Sequence, residues 1–124
     1  MEHADQLEIM LMSLMRQLFK AKYVEYRVPS GSIANLYAYM ATTKPGDNIM
    51  AFSEAAAGHV THHAEGAAGL YGLEVHEVPF DYSQMDVDTE SLLQKAKKVR
   101  PKLIIMAGSM CSVSYTHLTL PTKD

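Results

Sequence analysis

Apolar residues recur at helical spacing near the start of the chain. Leu7, Met10, Leu11, Leu14, Met15 and Leu18 form one stripe that ends near Lys20-Ala21-Lys22, which predicts a helix over 5–19. Its polar face is mixed in charge, which suits a core or a subunit interface better than a membrane surface. Tyr23 to Val28 then reads as a strand or extended segment closed by Pro29, and Ile33 to Thr42 as a second helix. Lys44-Pro45-Gly46-Asp47 carries both breakers of a turn. Asn48 to Phe52 is a short apolar run, read as a buried strand. Residues 54–69, rich in Ala, Gly and His, read as a loop leading into a short helix from about His59. Leu73 to Val78 alternates like a strand. Asp88 is the cap of a further helix with Leu92, Leu93, Ala96 and Val99 on one face. Arg100-Pro101 stops that helix, and Leu103 to Met106 is a last apolar run. The order, a helix and then alternating strands and helices with short connections, predicts an α/β fold with a mainly parallel sheet and helices on both faces.

Composition narrows the function classes. At 124 residues the chain holds one domain at most. No run of about 18 apolar residues occurs, so no membrane partner is expected. The first residues lack the positive flank and apolar stretch of a signal peptide. A net charge of −3 provides no basic surface, which argues against nucleic acid as a partner. A single cysteine, Cys111, excludes an internal disulfide and suits a reducing cytoplasm.

Three stretches offer chemistry. Ser30-Gly31-Ser32 opens the second helix, where backbone N–H groups and the positive helix end converge on an anion such as phosphate; Ser32 is the expected cap, and capping without any ligand stays open as an explanation. Gly58-His59-Val60-Thr61-His62-His63-Ala64-Glu65 is the second. Read on a helix, His59 and His63 share one face with Glu65 nearby, the geometry of two metal ligands, but nothing supplies a third, so no metal is expected. Gly108-Ser109 follows the last predicted strand. Ligands of open parallel sheets sit beyond the carboxyl ends of the strands, and Ser30–Ser32, His59 and Ser109 each follow one. A phosphate cradle, an imidazole able to stack on a flat ring, and a hydroxyl at the ring's edge together point to a phosphorylated aromatic cofactor.

Ser30-Gly31-Ser32-Ile33-Ala34-Asn35, Lys44-Pro45-Gly46-Asp47, Gly58-His59-Val60-Thr61-His62 and Arg100-Pro101-Lys102-Leu103-Ile104-Ile105 with Gly108-Ser109 follow one another in the order and spacing of serine hydroxymethyltransferase. The chain resembles that family over about residues 4–111. The resemblance implies pyridoxal phosphate as cofactor, the mainly parallel large domain of the aspartate-aminotransferase-like fold, and a homodimer or larger. It implies an amino-acid substrate and transfer of a one-carbon unit between serine and glycine, with tetrahydrofolate as co-substrate. Carried over by position, Gly31 and Ser32 would bind the cofactor phosphate, His59 would stack on its ring, and Ser109 would bond on the side of the phenolic oxygen. Asn35, Thr61 and His62 remain neighbours of the site without a role.

The departures are specific. The family usually has Gly where this chain has His63, and Gly is common where it has Ala57. Such changes suit a divergent branch acting on α-methylserine or a β-hydroxy amino acid. A related lyase or aldolase, a non-catalytic homologue and a metal-dependent hydrolase built on His59, His63 and Glu65 are the rival readings. By the same resemblance, the family's catalytic Glu would precede Met1, while the Asp facing the pyridinium nitrogen, the Schiff-base Lys and the carboxylate-binding Arg would follow Cys111. No catalytic residue is therefore expected within this stretch, which reads as an inactive fragment.

Residues 1–111 are expected to be a partial pyridoxal-phosphate-binding domain. Val113 to Thr122 back-translates, codon by codon, into the adapter of transposase-based sequencing libraries, and residues 112–124 are accordingly expected to be a non-biological tail. Resequencing the locus from a ligation-based library should give different codons after Cys111. Recovery of the same codons in frame would overturn that expectation.

Overall fold

The computed structural model describes residues 2–107. Ser109 and the tail after Cys111 lie outside the described residues. The chain divides into two compact units, residues 1–34 and the part from Asn35 onward.

In the first unit, helix α1 spans Glu2–Phe19. It stops where Lys20 adopts a left-handed backbone (φ 50°) and the Ala21 N–H returns to the Arg16 carbonyl. The apolar stripe is there as expected, but Leu7, Met10, Leu14 and Leu18 are exposed, so it forms no core among the described residues. Residues 23–28 form no strand. A strand needs a neighbour to take its N–H and C=O groups, and no described segment pairs with this one. A two-point Arg27–Glu25 ion pair (2.9 and 3.1 Å) holds the segment locally. Helix α2 spans Gly31–Thr42. Its cap is Ser30, not Ser32: the Ser30 hydroxyl accepts the Ile33 N–H at 3.2 Å.

The second unit is built on a parallel sheet. Strand β1 (Asn48–Ala51) leads through two 3-10 turns, Glu54–Ala56 and Val60–His62, and the short helix α3 (Ala67–Leu70) to β2 (Glu74–Glu77). A small antiparallel hairpin, β3 (Phe80–Asp81) and β4 (Asp86–Val87), precedes helix α4 (Thr89–Val99) and β5 (Leu103–Ile105). The strand order is β2-β1-β5, with both neighbours of β1 parallel to it. Asn48 joins three elements, accepting from His76 Nε2 on β2 (2.9 Å) and donating to the Val99 carbonyl at the end of α4 (3.4 Å).

Strand alternation sends side chains to opposite faces. Ile49 joins Tyr39, Ala68 and Leu73 on one face, with Leu36, Leu103 and Ile105 packed against them. Met50 and Phe52 join Ala56 and Val78 on the other, with Phe80, Leu92 and Ala96 against them. The result is the expected α/β arrangement, a parallel sheet with helices over both faces. Asp88 caps α4 as read from sequence, its carboxylate accepting the Ser91 N–H at 3.0 Å. Leu93 departs from the expected apolar face. It is 57% exposed, because Leu92 and Ala96, one turn apart, are the α4 positions that reach the cluster.

These packing differences make the core sharply uneven. Ile49→Ala should cost about 2–5 kcal/mol of unfolding free energy, whereas Leu93→Ala should change it by no more than about 0.5 kcal/mol. Urea denaturation of the two variants checks this; equal losses would show that the clusters are misassigned.

Candidate functional site

β1 is the strand from which the chain turns to one side to form β2, while β5 pairs on its other side. In open parallel sheets the crevice at such a reversal, beyond the strand's carboxyl end, is where ligands bind. Residues 52–66 fill that position in the chain. They do so as tight turns, and the helix expected from about His59 is absent. The reason is close backbone approach: a Cβ on Gly58 would lie 2.1 Å from the Phe52 carbonyl oxygen, and one on Gly66 would lie 1.9 Å from that of Val60. Gly58 thus lets the chain fold back on the end of β1 and Gly66 lets it close on the second 3-10 turn, a path no regular helix follows.

His59 is the cap of the second 3-10 turn. Its Nδ1 accepts the Thr61 N–H at 3.2 Å and lies 2.9 Å from the Thr61 hydroxyl. That hydroxyl also accepts from Asn35 Nδ2 at 3.0 Å. Tyr39, one helical turn beyond Asn35 on α2, donates its hydroxyl proton to the Thr61 carbonyl at 3.2 Å. The Tyr39 oxygen also lies 2.6 Å from His62 Nδ1. Thr61 and His62 are 4% and 5% exposed. Burial pushes the His62 imidazole below its ordinary range, helped by the neighbouring His59 and His63, and burial raises the Tyr39 phenol to about 12. The rings of His59 and His62 lie 6.1 Å apart at 60°.

His63 is separate from this group. It ends the turn with extended backbone, and its Nε2–H donates to the Phe52 carbonyl at 3.0 Å. Its own carbonyl accepts from the N–H groups of Gly66 and Gly69 at 3.1 and 3.2 Å. It therefore clips the end of β1 to the turns, and it lines a small cleft with Ser53, Glu54, Glu65 and Glu77. The shared helical face assumed for His59 and His63 does not form. No three His, Cys, Asp or Glu side chains are grouped to hold a metal ion among the described residues.

Gly31 and Ser32 occupy the first turn of α2, both exposed, with open space around the Gly31 Cα. First-turn N–H groups have no acceptor within their own helix, and Ser30 takes only that of Ile33. No described strand precedes them, contrary to the expected strand–turn–helix. Sequence reading left Asn35, Tyr39 and Thr61 without parts. The Asn35/Tyr39 spacing of four was a visible sign of one helix face, but its partner, a turn 22–26 residues away, was not.

Comparison with known proteins adds the lineage. The family model described as serine hydroxymethyltransferase matches residues 1–119. An alpha-methylserine aldolase of Variovorax paradoxus is 46% identical over 110 residues, which cover 89% of this chain and 25% of that protein. One of Ralstonia sp is 42% identical over the same shares. A serine hydroxymethyltransferase of Methanocaldococcus jannaschii is 38% identical over 109 residues, 88% of this chain and 25% of that protein. The chain thus spans about a quarter of the length of these relatives.

Burial of neutral His62 makes stability depend on pH. The unfolded chain takes up a proton near pH 6.5, and the folded one does so only at lower pH. Stability should hold above about pH 6.5 and fall between there and the lowered value, since the unfolded state then binds more protons. His62→Asn should flatten this stretch of the profile. Urea midpoints from pH 5 to 8 check it, and an unchanged slope would contradict it.

Proposed function

This chain belongs to the serine hydroxymethyltransferase family, and from that premise we propose that it is the cofactor-receiving part of a pyridoxal-phosphate enzyme's large domain. Residues 1–111 are that part, and residues 112–124 are foreign to it. Gly31 and Ser32 are the phosphate-binding residues, His59 the ring-stacking residue, and Ser109 the partner on the phenolic-oxygen side. The whole enzyme would transfer a one-carbon unit between serine and glycine with tetrahydrofolate, as a cytoplasmic homodimer or larger. A second reading is cleavage of an α-methylserine-type substrate, favoured by the higher identity to proteins bearing the aldolase name. No helix among the described residues is long and apolar enough to cross a membrane.

The observation that carries the reading is the half-buried His59 ring, fixed through Nδ1 on the connection that follows the carboxyl end of the central strand. The residues fit the group. An anion finds the first-turn N–H groups of α2, the Ser32 hydroxyl and the positive helix end. A flat ring finds the face of the His59 imidazole. When bound, the cofactor supplies an electron-withdrawing ring for bond breaking at the substrate's α-carbon. The part of this chain is to hold and orient: Gly31 and Ser32 resist loss of the phosphate, and His59 resists tilting of the ring. The lysine that carries the cofactor is supplied outside this stretch.

Two assays test this. In the complete enzyme, His59→Ala should lower both turnover and cofactor retention, while Ser32→Ala should weaken retention by about 0.5–1.5 kcal/mol. Serine with tetrahydrofolate against α-methylserine without folate separates the two substrates. The 124-residue chain alone should turn over neither, and borohydride reduction with pyridoxal phosphate should fix the cofactor to no single lysine. Stoichiometric fixation at one lysine would overturn the assignment.

A further inference from the structure

We propose that Thr61, braced by Asn35 and Tyr39, is a positioning residue that fixes the tautomer and ring plane of His59. The directions of the hydrogen bonds are forced. A backbone N–H can only donate, so the Thr61 N–H at 3.2 Å requires His59 Nδ1 to be an acceptor. The ring proton of the neutral imidazole then sits on Nε2. An amide nitrogen also can only donate, so the Asn35 contact at 3.0 Å makes the Thr61 oxygen an acceptor. The hydroxyl proton is left for His59 Nδ1 at 2.9 Å. The opposite orientation of the Asn35 amide would draw that proton away from Nδ1 and leave the Thr61 N–H as its one donor from this residue. Tyr39 occupies the remaining polar group of Thr61, its carbonyl.

Thr61 is therefore buried with its N–H, hydroxyl and carbonyl all engaged. Two of the three act on one ring nitrogen from the same residue, which restrains rotation of the imidazole as well as its protonation pattern. His59 is left with a neutral face and a single donor, Nε2–H, while its Nδ1 lone pair is already used. It serves to present a surface and is not set up as a proton acceptor. Only the last step, from a fixed ring to cofactor retention, rests on the function proposed above.

The test is nitrogen NMR of the full chain labelled with ¹⁵N-histidine, recorded above pH 7.5. Wild-type His59 should show one unprotonated nitrogen, Nδ1, and one protonated, Nε2, without averaging. Thr61→Val keeps the size and the backbone N–H but loses the hydroxyl, one of the two donors to Nδ1, so both resonances should move part of the way toward an averaged position. Thr61→Ser should restore the wild-type pattern, which mere filling of space would not achieve. If Thr61→Val fails to fold, Asn35→Ala is read in its place and should show a smaller movement in the same direction. A protonated Nδ1 in the wild type, or a wild-type pattern in the folded variant, overturns the inference whatever the fate of the cofactor reading. An unchanged cofactor affinity in the complete enzyme's His59→Ala variant would remove the cofactor reading and leave the tautomer assignment standing.

Discussion

Strand β1 has parallel neighbours on both edges and apolar clusters on both faces. No other described segment is constrained on four sides, and the candidate site depends on that. Ile49 and Met50 point to opposite faces and are fully buried, so a shift of one residue along the ladder would exchange the two clusters. Register is thereby fixed, and with it the point where the chain leaves the sheet at Phe52. The turns that follow are attached there by the bond from His63 to the Phe52 carbonyl, while the Val78 N–H, just past β2, extends the pairing with β1 to the Ala51 carbonyl.

Beyond that point the chain exchanges regular structure for buried polar bonding. A short helix would satisfy its own backbone but would carry His59, Thr61 and His62 to different faces. The 3-10 turn brings a capping imidazole, a threonine and a second imidazole against α2, where Asn35 and Tyr39 supply their partners. Burying such groups costs free energy unless each is hydrogen-bonded. No buried side-chain nitrogen or oxygen is without a partner among the described residues. The lowered His62 and raised Tyr39 both follow from the same burial, which favours the neutral forms of the two groups.

The three histidines of this stretch illustrate how a shared motif divides into separate tasks. His59 offers a half-buried ring held at one nitrogen, His62 is a neutral core group bonded to Tyr39, and His63 clips the turns to β1. Helical spacing offered His59 and His63 as two metal ligands without a third. Orientation separates the three, because the 3-10 turn and the extended backbone at His63 send successive side chains to different partners.

Much of the fold was decided by local pattern. The apolar runs of β1 and β5, the alternation before Pro79, the Asp88 cap and the Arg100-Pro101 stop are properties of a few consecutive residues, and these elements form where those signals lie. Four ordered motifs likewise identified the family from sequence. Tertiary structure decided what depends on distant partners. Among the described residues, Tyr23 to Val28 has no neighbour to pair with despite its strand-forming residues, and Leu93 has no cluster within reach despite its apolar side chain. In place of the helix anticipated from His59, the chain forms tight turns in which Gly58 and Gly66 lie against the carbonyls of Phe52 and Val60, an approach the run of residue types did not reveal. The Asn35–Thr61–His59 chain joins residues 26 positions apart through donors and acceptors whose directions have meaning only once they meet. Helix periods and caps are short-range energies carried by the sequence itself, whereas pairing, close approach and hydrogen-bond direction between distant groups exist only in the folded chain.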